Sequence, residues 1–114
     1  MHRGQVWLIN LDPTVGAEIK KTRPAVIVND DAIGILPLKV IVPITDWKDH
    51  YAIAPWMVRL DPGAENGLDK PSAADAFQVR SVAQQRFVRQ LGMLSDTAMH
   101  LITRALAIVL NIEP

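Results

Sequence analysis

The chain has 114 residues, with 12 Lys and Arg balancing 12 Asp and Glu, and no cysteine. That length fits one domain with one real core; the missing cysteine excludes disulfides, thiolate metal sites and a cysteine nucleophile; and zero net charge excludes a chain that coats nucleic acid through bulk charge. No apolar run approaches the ~20 residues of a transmembrane helix, and no secretory leader opens the chain, so a cytoplasmic protein with no membrane partner is expected.

Val6 to Leu11 is apolar-rich and stops at Asp12-Pro13, and Ala25 to Val28 is β-branched and stops at Asn29-Asp30-Asp31. Both read as strands. Between them, Asp12 to Thr22 carries Pro13, Gly16, Glu18, Lys20 and Lys21, the composition of an exposed polar loop. Leu38 to Ile44 reads as a third strand, and Pro43, which lacks a donor, places that end at an edge or bulge. Ala54 to Leu60 follows and stops at Asp61-Pro62-Gly63, with Asn66-Gly67 a second turn. Ala73 to Arg80 and Arg86 to Leu94 are weaker strands, because Ala, Gln and Arg carry little strand propensity.

The period then changes. Ala98, Ile102, Ala105 and Val109 recur three or four apart, as do Leu106 and Leu110, behind Ser95 as N-cap and Asp96 in the first turn. This predicts an amphipathic C-terminal helix of about four turns. No gap between the early strands has room or periodicity for a crossover helix. The expected class is therefore mainly β, a small antiparallel barrel or coiled sheet with the helix on one side, in a single unit spanning residues 1–114.

Two residues stand where turn-rich segments meet apolar strands. Pro24 restrains Arg23 to an extended backbone, so a permanently charged guanidinium leaves the strand start in a fixed direction. Thr45 follows the third strand. Together they can grip a phosphodiester; separately, Arg23 can form a surface salt bridge and Thr45 can bond nearby backbone. Arg3, Lys20, Lys21 and Arg23 outnumber Asp12 and Glu18 in the first 23 residues, which allows a small basic patch. Trp7 reads as core, and Trp47, in a polar turn, as a ring able to stack a base or to cover the barrel end. His2, His50 and His100 lack metal spacing, and His50 alone lies near enough to Thr45 to assist a proton transfer. No zinc, nucleotide-cofactor or serine-hydrolase motif is present, so no cofactor or metal is expected.

The segment Pro13 to Asp30, with Lys20-Lys21-Thr22-Arg23-Pro24-Ala25-Val26-Ile27-Val28 at its centre, resembles the first signature of the MazF/PemK toxin family. The likeness continues through Val42-Pro43-Ile44-Thr45, Gly67-Leu68, Ser72, Gln78-Val79-Arg80, Arg86-Phe87 and Gly92-Met93-Leu94-Ser95, over nearly the whole chain. It implies an SH3-like barrel of the MazF/PemK/CcdB type, acting as a homodimer. It also implies a ribosome-independent endoribonuclease that cuts single-stranded RNA at short sequences and is silenced by a cognate MazE/PemI-like antitoxin. Arg23 and Thr45 match the family's catalytic pair, and the loop bearing Glu18, Lys20 and Lys21 matches a region bordering RNA and antitoxin. Family members often place an acid before the glutamine matching Gln78; here Phe77 stands there, and the nearest acid is Asp75.

The expected reaction is metal-independent transesterification by the substrate's own 2′-hydroxyl, with Arg23 neutralising phosphoryl charge and Thr45 donating a hydrogen bond. Trp47, Lys48 and Gln78 are the candidates for base contacts. Two other readings keep the barrel: a toxin that inhibits DNA gyrase through its terminal helix, and a binding domain for RNA or peptide without activity.

Overall fold

The computed structural model describes residues 1–33 and 35–113. Its strands are β1 (Gln5–Asn10), β2 (Thr22–Ile27), β3 (Leu38–Asp46), β4 (Met57–Leu60), β5 (Ser72–Asp75), β6 (Arg80–Ala83) and β7 (Phe87–Met93), followed by the helix α1 (Asp96–Leu110). Single 3-10 turns lie at Asp31–Ile33, Asp49–Ile53, Ala76–Gln78 and Gln84–Arg86. The mainly β character, the small helices and the C-terminal helix agree with the sequence pattern.

All pairings between strands are antiparallel, in the order β4-β5-β3-β2-β1-β7, and β6 joins through β3. β3 is the hub. It pairs β2 through Ile41, Val42 and Pro43, β6 through Leu38 to Ile41, and β5 through Ile44 to Asp46. Pro43 therefore stands where β3 exchanges β6 for β5, the one stretch where a missing donor leaves no ladder bond unmade. It is a break between partners rather than an edge, and the ring is fully buried.

Three strands differ from their sequence reading. β2 begins at Thr22, three residues before the Ala25 to Val28 run, and so takes in Arg23. The Ala54 to Leu60 run pairs only from Met57, because Ala54 closes the preceding 3-10 turn through its N–H to the Tyr51 carbonyl. The Ala73 to Arg80 run is cut in two by Asp75, whose carboxylate accepts the Phe77 N–H at 3.1 Å and caps a 3-10 turn. That capping bond is local and competes directly with the ladder.

Alternation splits the apolar residues of β1, β2 and β3 between two clusters. Val6, Val26, Val42 and Ile44 pack with Met99, Ile102 and Ala105 of α1, while Ile9, Ala25, Ile27 and Ile41 pack with Leu11 and Val82 on the other face. Burial on both faces explains why these strands read as continuous apolar runs. Trp7 is half-buried at the margin of the second cluster, edge-to-face with Phe87 at 5.5 Å. The Ser95 hydroxyl accepts the Ala98 N–H at 3.1 Å and starts α1. Asn111 ends it in the left-handed region at φ 56°, with Ile112 N–H bonded to the Ala107 carbonyl at 2.8 Å. This is a Schellman stop with asparagine in the place glycine usually holds.

Candidate active site

Register brings the two singled-out residues together. β2 and β3 pair Ala25 with Pro43 and Ile27 with Ile41, and continuing that antiparallel register two residues further puts Arg23 level with Thr45. Both line one cleft of about 280 Å³. Arg23 is half-buried, and the only side-chain hydrogen bond it makes among the described residues runs from Nε to the Lys20 carbonyl at 3.4 Å. Its terminal nitrogens and the Thr45 hydroxyl have no partner among the described residues, so neither the salt bridge nor the local cap that the sequence also allowed is formed.

The cleft also holds charges that the sequence did not single out. Lys70 and Arg89 join Arg23 against Asp46 and Asp69, so cations exceed carboxylates there although the whole chain is neutral. Lys70 Nζ lies 3.0 Å from Asp46 Oδ1, which leaves Arg23 and Arg89 as the cleft's unpaired cations among the described residues. Arg89 arrives through strand pairing: Leu8 of β1 faces Pro24 on one side and Arg89 on the other. One wall depends on backbone contact that only glycine permits. Gly67 has φ +71°, and a Cβ there would meet the Leu91 carbonyl oxygen at 2.1 Å. The Asn66 side chain fixes that turn by accepting the Gly63 and Leu68 N–H groups at 3.2 and 2.9 Å.

Beside this cleft lies a second, of about 470 Å³, between the β1–β2 loop and the Ala76–Gln78 turn. Glu18 and Gln78 line it. Gln78 is a clasp: its Oε1 accepts the Ile19 N–H at 2.6 Å and its Nε2 donates to the Ala17 carbonyl at 3.2 Å. The loop is exposed, as its composition indicates, yet it is tied at several points. Arg80 donates to the Leu11 carbonyl at 3.3 Å, Arg86 donates to the carbonyls of Asn10 and Asp12, and Asp12 accepts the Lys21 N–H at 2.9 Å. Glu18 caps the loop's own bend by accepting the Val15 N–H at 2.8 Å.

Lys20 and Lys21 are exposed on this loop, and neither lines the two clefts. Arg3 does not join a basic patch with them. Its guanidinium donates to the Val28 carbonyl and to Thr103 Oγ1, tying the N-terminus to α1. Trp47 and Lys48 line neither cleft. The Trp47 ring is half-buried, edge-to-face with Tyr51 at 5.9 Å and 5.1 Å from the Arg59 guanidinium, so it packs against its neighbours instead of standing free. His50 packs on Tyr51 at 4.7 Å and lines a different cavity, with Ile53 and Trp56. Asp75 is buried, and burial pushes its carboxyl above the ordinary aspartate value, opposed by the hydrogen bonds it accepts from Phe77 and Gln78.

Residues 2–110 match the model of a family described as PemK-like, MazF-like toxin of type II toxin-antitoxin system. The chain is 30% identical to Endoribonuclease MazF9 of Mycobacterium tuberculosis over 98% of each chain. Among solved structures it resembles MazF from Deinococcus radiodurans, with a TM-score of 0.81 at 23% identity, covering 97% of this chain and 96% of that one. It also resembles an endoribonuclease from a mycobacterial species solved in complex with its cognate antitoxin, with a TM-score of 0.79 at 22% identity over 100% of this chain and 98% of that one.

Proposed function

We propose, because this chain belongs to the PemK-like, MazF-like toxin family of type II toxin-antitoxin systems, that it is a sequence-specific endoribonuclease cutting single-stranded messenger RNA at the Arg23–Thr45 cleft. The observation that carries this reading is the convergence, on one small, net cationic cleft, of a guanidinium whose terminal nitrogens and a threonine whose hydroxyl have no partner among the described residues. The substrate's 2′-hydroxyl gives up its proton to solvent as its oxygen attacks the adjacent phosphorus, the bond to the 5′-oxygen breaks, that oxygen leaves as a hydroxyl by taking a proton from solvent, and a 2′,3′-cyclic phosphate remains on the upstream fragment. Arg23 neutralises charge growing on the non-bridging oxygens, and Thr45 donates a further hydrogen bond to them. Arg89, unpaired among the described residues, adds a second cation at the same cleft for a flanking phosphate.

Several finer features belong to the same reading. The sheet is taken as an SH3-like barrel, supported by a hub strand shared among β2, β5 and β6. Residues 1–114 act as one toxin domain, working in the cytoplasm; among the described residues, no helix is long and apolar enough to cross a membrane. Lys20 and Lys21 supply exposed charge along the RNA path, while Glu18 and Gln78 keep the loop in shape. Trp47 and Lys48 stand outside both clefts and contact RNA only beyond them. The partners are a second copy of the chain and an antitoxin, the latter supported by the antitoxin complex of the mycobacterial structure. Exposed Met93, and exposed Leu101, Ile108 and Leu110 on α1, support association between copies.

Purified wild type and R23A, incubated in EDTA with a long mixed-sequence RNA, test the activity by mapping new ends. Wild type is expected to cut without metal. R23A keeps its fold and loses about 10²- to 10³-fold in rate, the ~3–4 kcal/mol that one preorganised donor supplies. Undiminished cleavage by folded R23A rejects the assignment.

A further inference from the structure

Phe77 is 66% exposed, a large apolar ring left in solvent at the rim of the 470 Å³ cleft. Its position is fixed. The backbone N–H is held by the Asp75 carboxylate at 3.1 Å, and the ring leans on Trp56 with centroids 5.9 Å apart and planes tilted by 59°. A preset aromatic ring of this kind offers a face to a flat ligand at little further loss of conformational entropy.

The cleft that the ring borders also neighbours the reaction site of the proposed reading, on which this inference rests. Pro43 lines the Phe77 cleft and Thr45 lines the catalytic cleft. They are two residues apart on β3, hence on one face and about 6.6 Å apart along the strand, a distance one nucleotide can span. The polar groups near the ring are already engaged: both ends of the Gln78 amide hold the loop, and Glu18 caps it. Contacts to base edges are therefore scarce there, while a π-face is available.

We infer that Phe77 is a stacking platform for one unpaired base next to the cleaved phosphate, selecting by stacking strength and so favouring a purine over a pyrimidine. It is a specificity residue that takes no part in bond breaking. Its exposure means that removing it leaves the core intact.

The test separates binding from cleavage. Short 2′-O-methyl RNAs, which cannot be cut through a 2′-hydroxyl, are titrated against wild type, F77A and F77W, with an abasic nucleotide placed at each position in turn. F77A is expected to bind about 5- to 150-fold more weakly, the range of one lost base–aromatic stack, and F77W to bind like wild type. At one position the abasic substitution weakens wild type to the F77A level and leaves F77A unchanged; a pyrimidine for a purine at that position has a smaller effect in the same direction. Equal binding by F77A and wild type, or abasic and F77A losses that multiply at every position, overturns the inference. The first pattern leaves the exposed ring as a contact for protein instead of a base. Failure of wild type to cut RNA bears on the nuclease reading alone, since the binding arms need no cleavage.

Discussion

Under α1, the sheet is held by apolar side chains that interlock without direction: Val6, Val26, Val42 and Ile44 pack against Met99, Ile102 and Ala105. Around the β1–β2 loop the grip comes from a handful of directed contacts, in which Arg80, Arg86 and Gln78 reach the carbonyls and amides of Asn10, Leu11, Asp12, Ala17 and Ile19. The first arrangement tolerates exchange among apolar residues of similar volume. The second does not, because each donor meets a particular backbone group across a long stretch of sequence. Stability is concentrated in one region and the shape of the clefts in the other.

Three substitutions sharpen or break that division. The largest effect is expected from I102A, which empties a fully buried position in the helix-side core. It should destabilise the fold by about 2–5 kcal/mol, read as a lower urea midpoint, with KM per folded molecule unchanged. R86A comes next. Losing its charge-assisted bonds to the Asn10 and Asp12 carbonyls should cost about 1.5–3 kcal/mol locally and should make the loop a preferred site of proteolytic nicking at native temperature. A global loss in R86A as large as that in I102A would erase the distinction.

The smallest effect is a pH dependence at Asp75. Burial raises its pKa, so the folded chain holds this proton more tightly than the unfolded chain does. Its contribution to stability therefore falls as pH rises from the ordinary aspartate value through the raised native one, and is constant below and above that window. D75N keeps an acceptor for the Phe77 N–H and cannot ionise. Urea midpoints followed against pH should show wild type losing stability relative to D75N across the window, and parallel curves would contradict the sign.

The helix-side region was legible because its information is local. The spacing of Ala98, Ile102 and Ala105 and the Ser95 cap lie within one stretch of chain, and α1 follows them. Arg23 and Thr45 were legible as strand-border residues, and the long, exposed character of the loop was plain from its composition. The tethers were not, since Gln78 meets Ile19 across 59 positions of sequence and Arg86 meets Asn10 across 76. Lys70 and Arg89 were missed for the same reason: only the turn at Gly67 and the pairing of β7 with β1 carry them to the cleft. At Asp75 a single capping bond redirected the chain, a competition that strand propensities of Ala and Gln do not encode.

A strand with neighbours along both edges cannot fray on its own. Ile41 faces Ile27 of β2 on one edge and Arg80 of β6 on the other, so amide hydrogens there exchange with solvent deuterium only when the sheet itself opens, whereas Thr45, two residues past the last β2 pair, is held by Ala73 of β5 and can release its alcohol through a smaller opening.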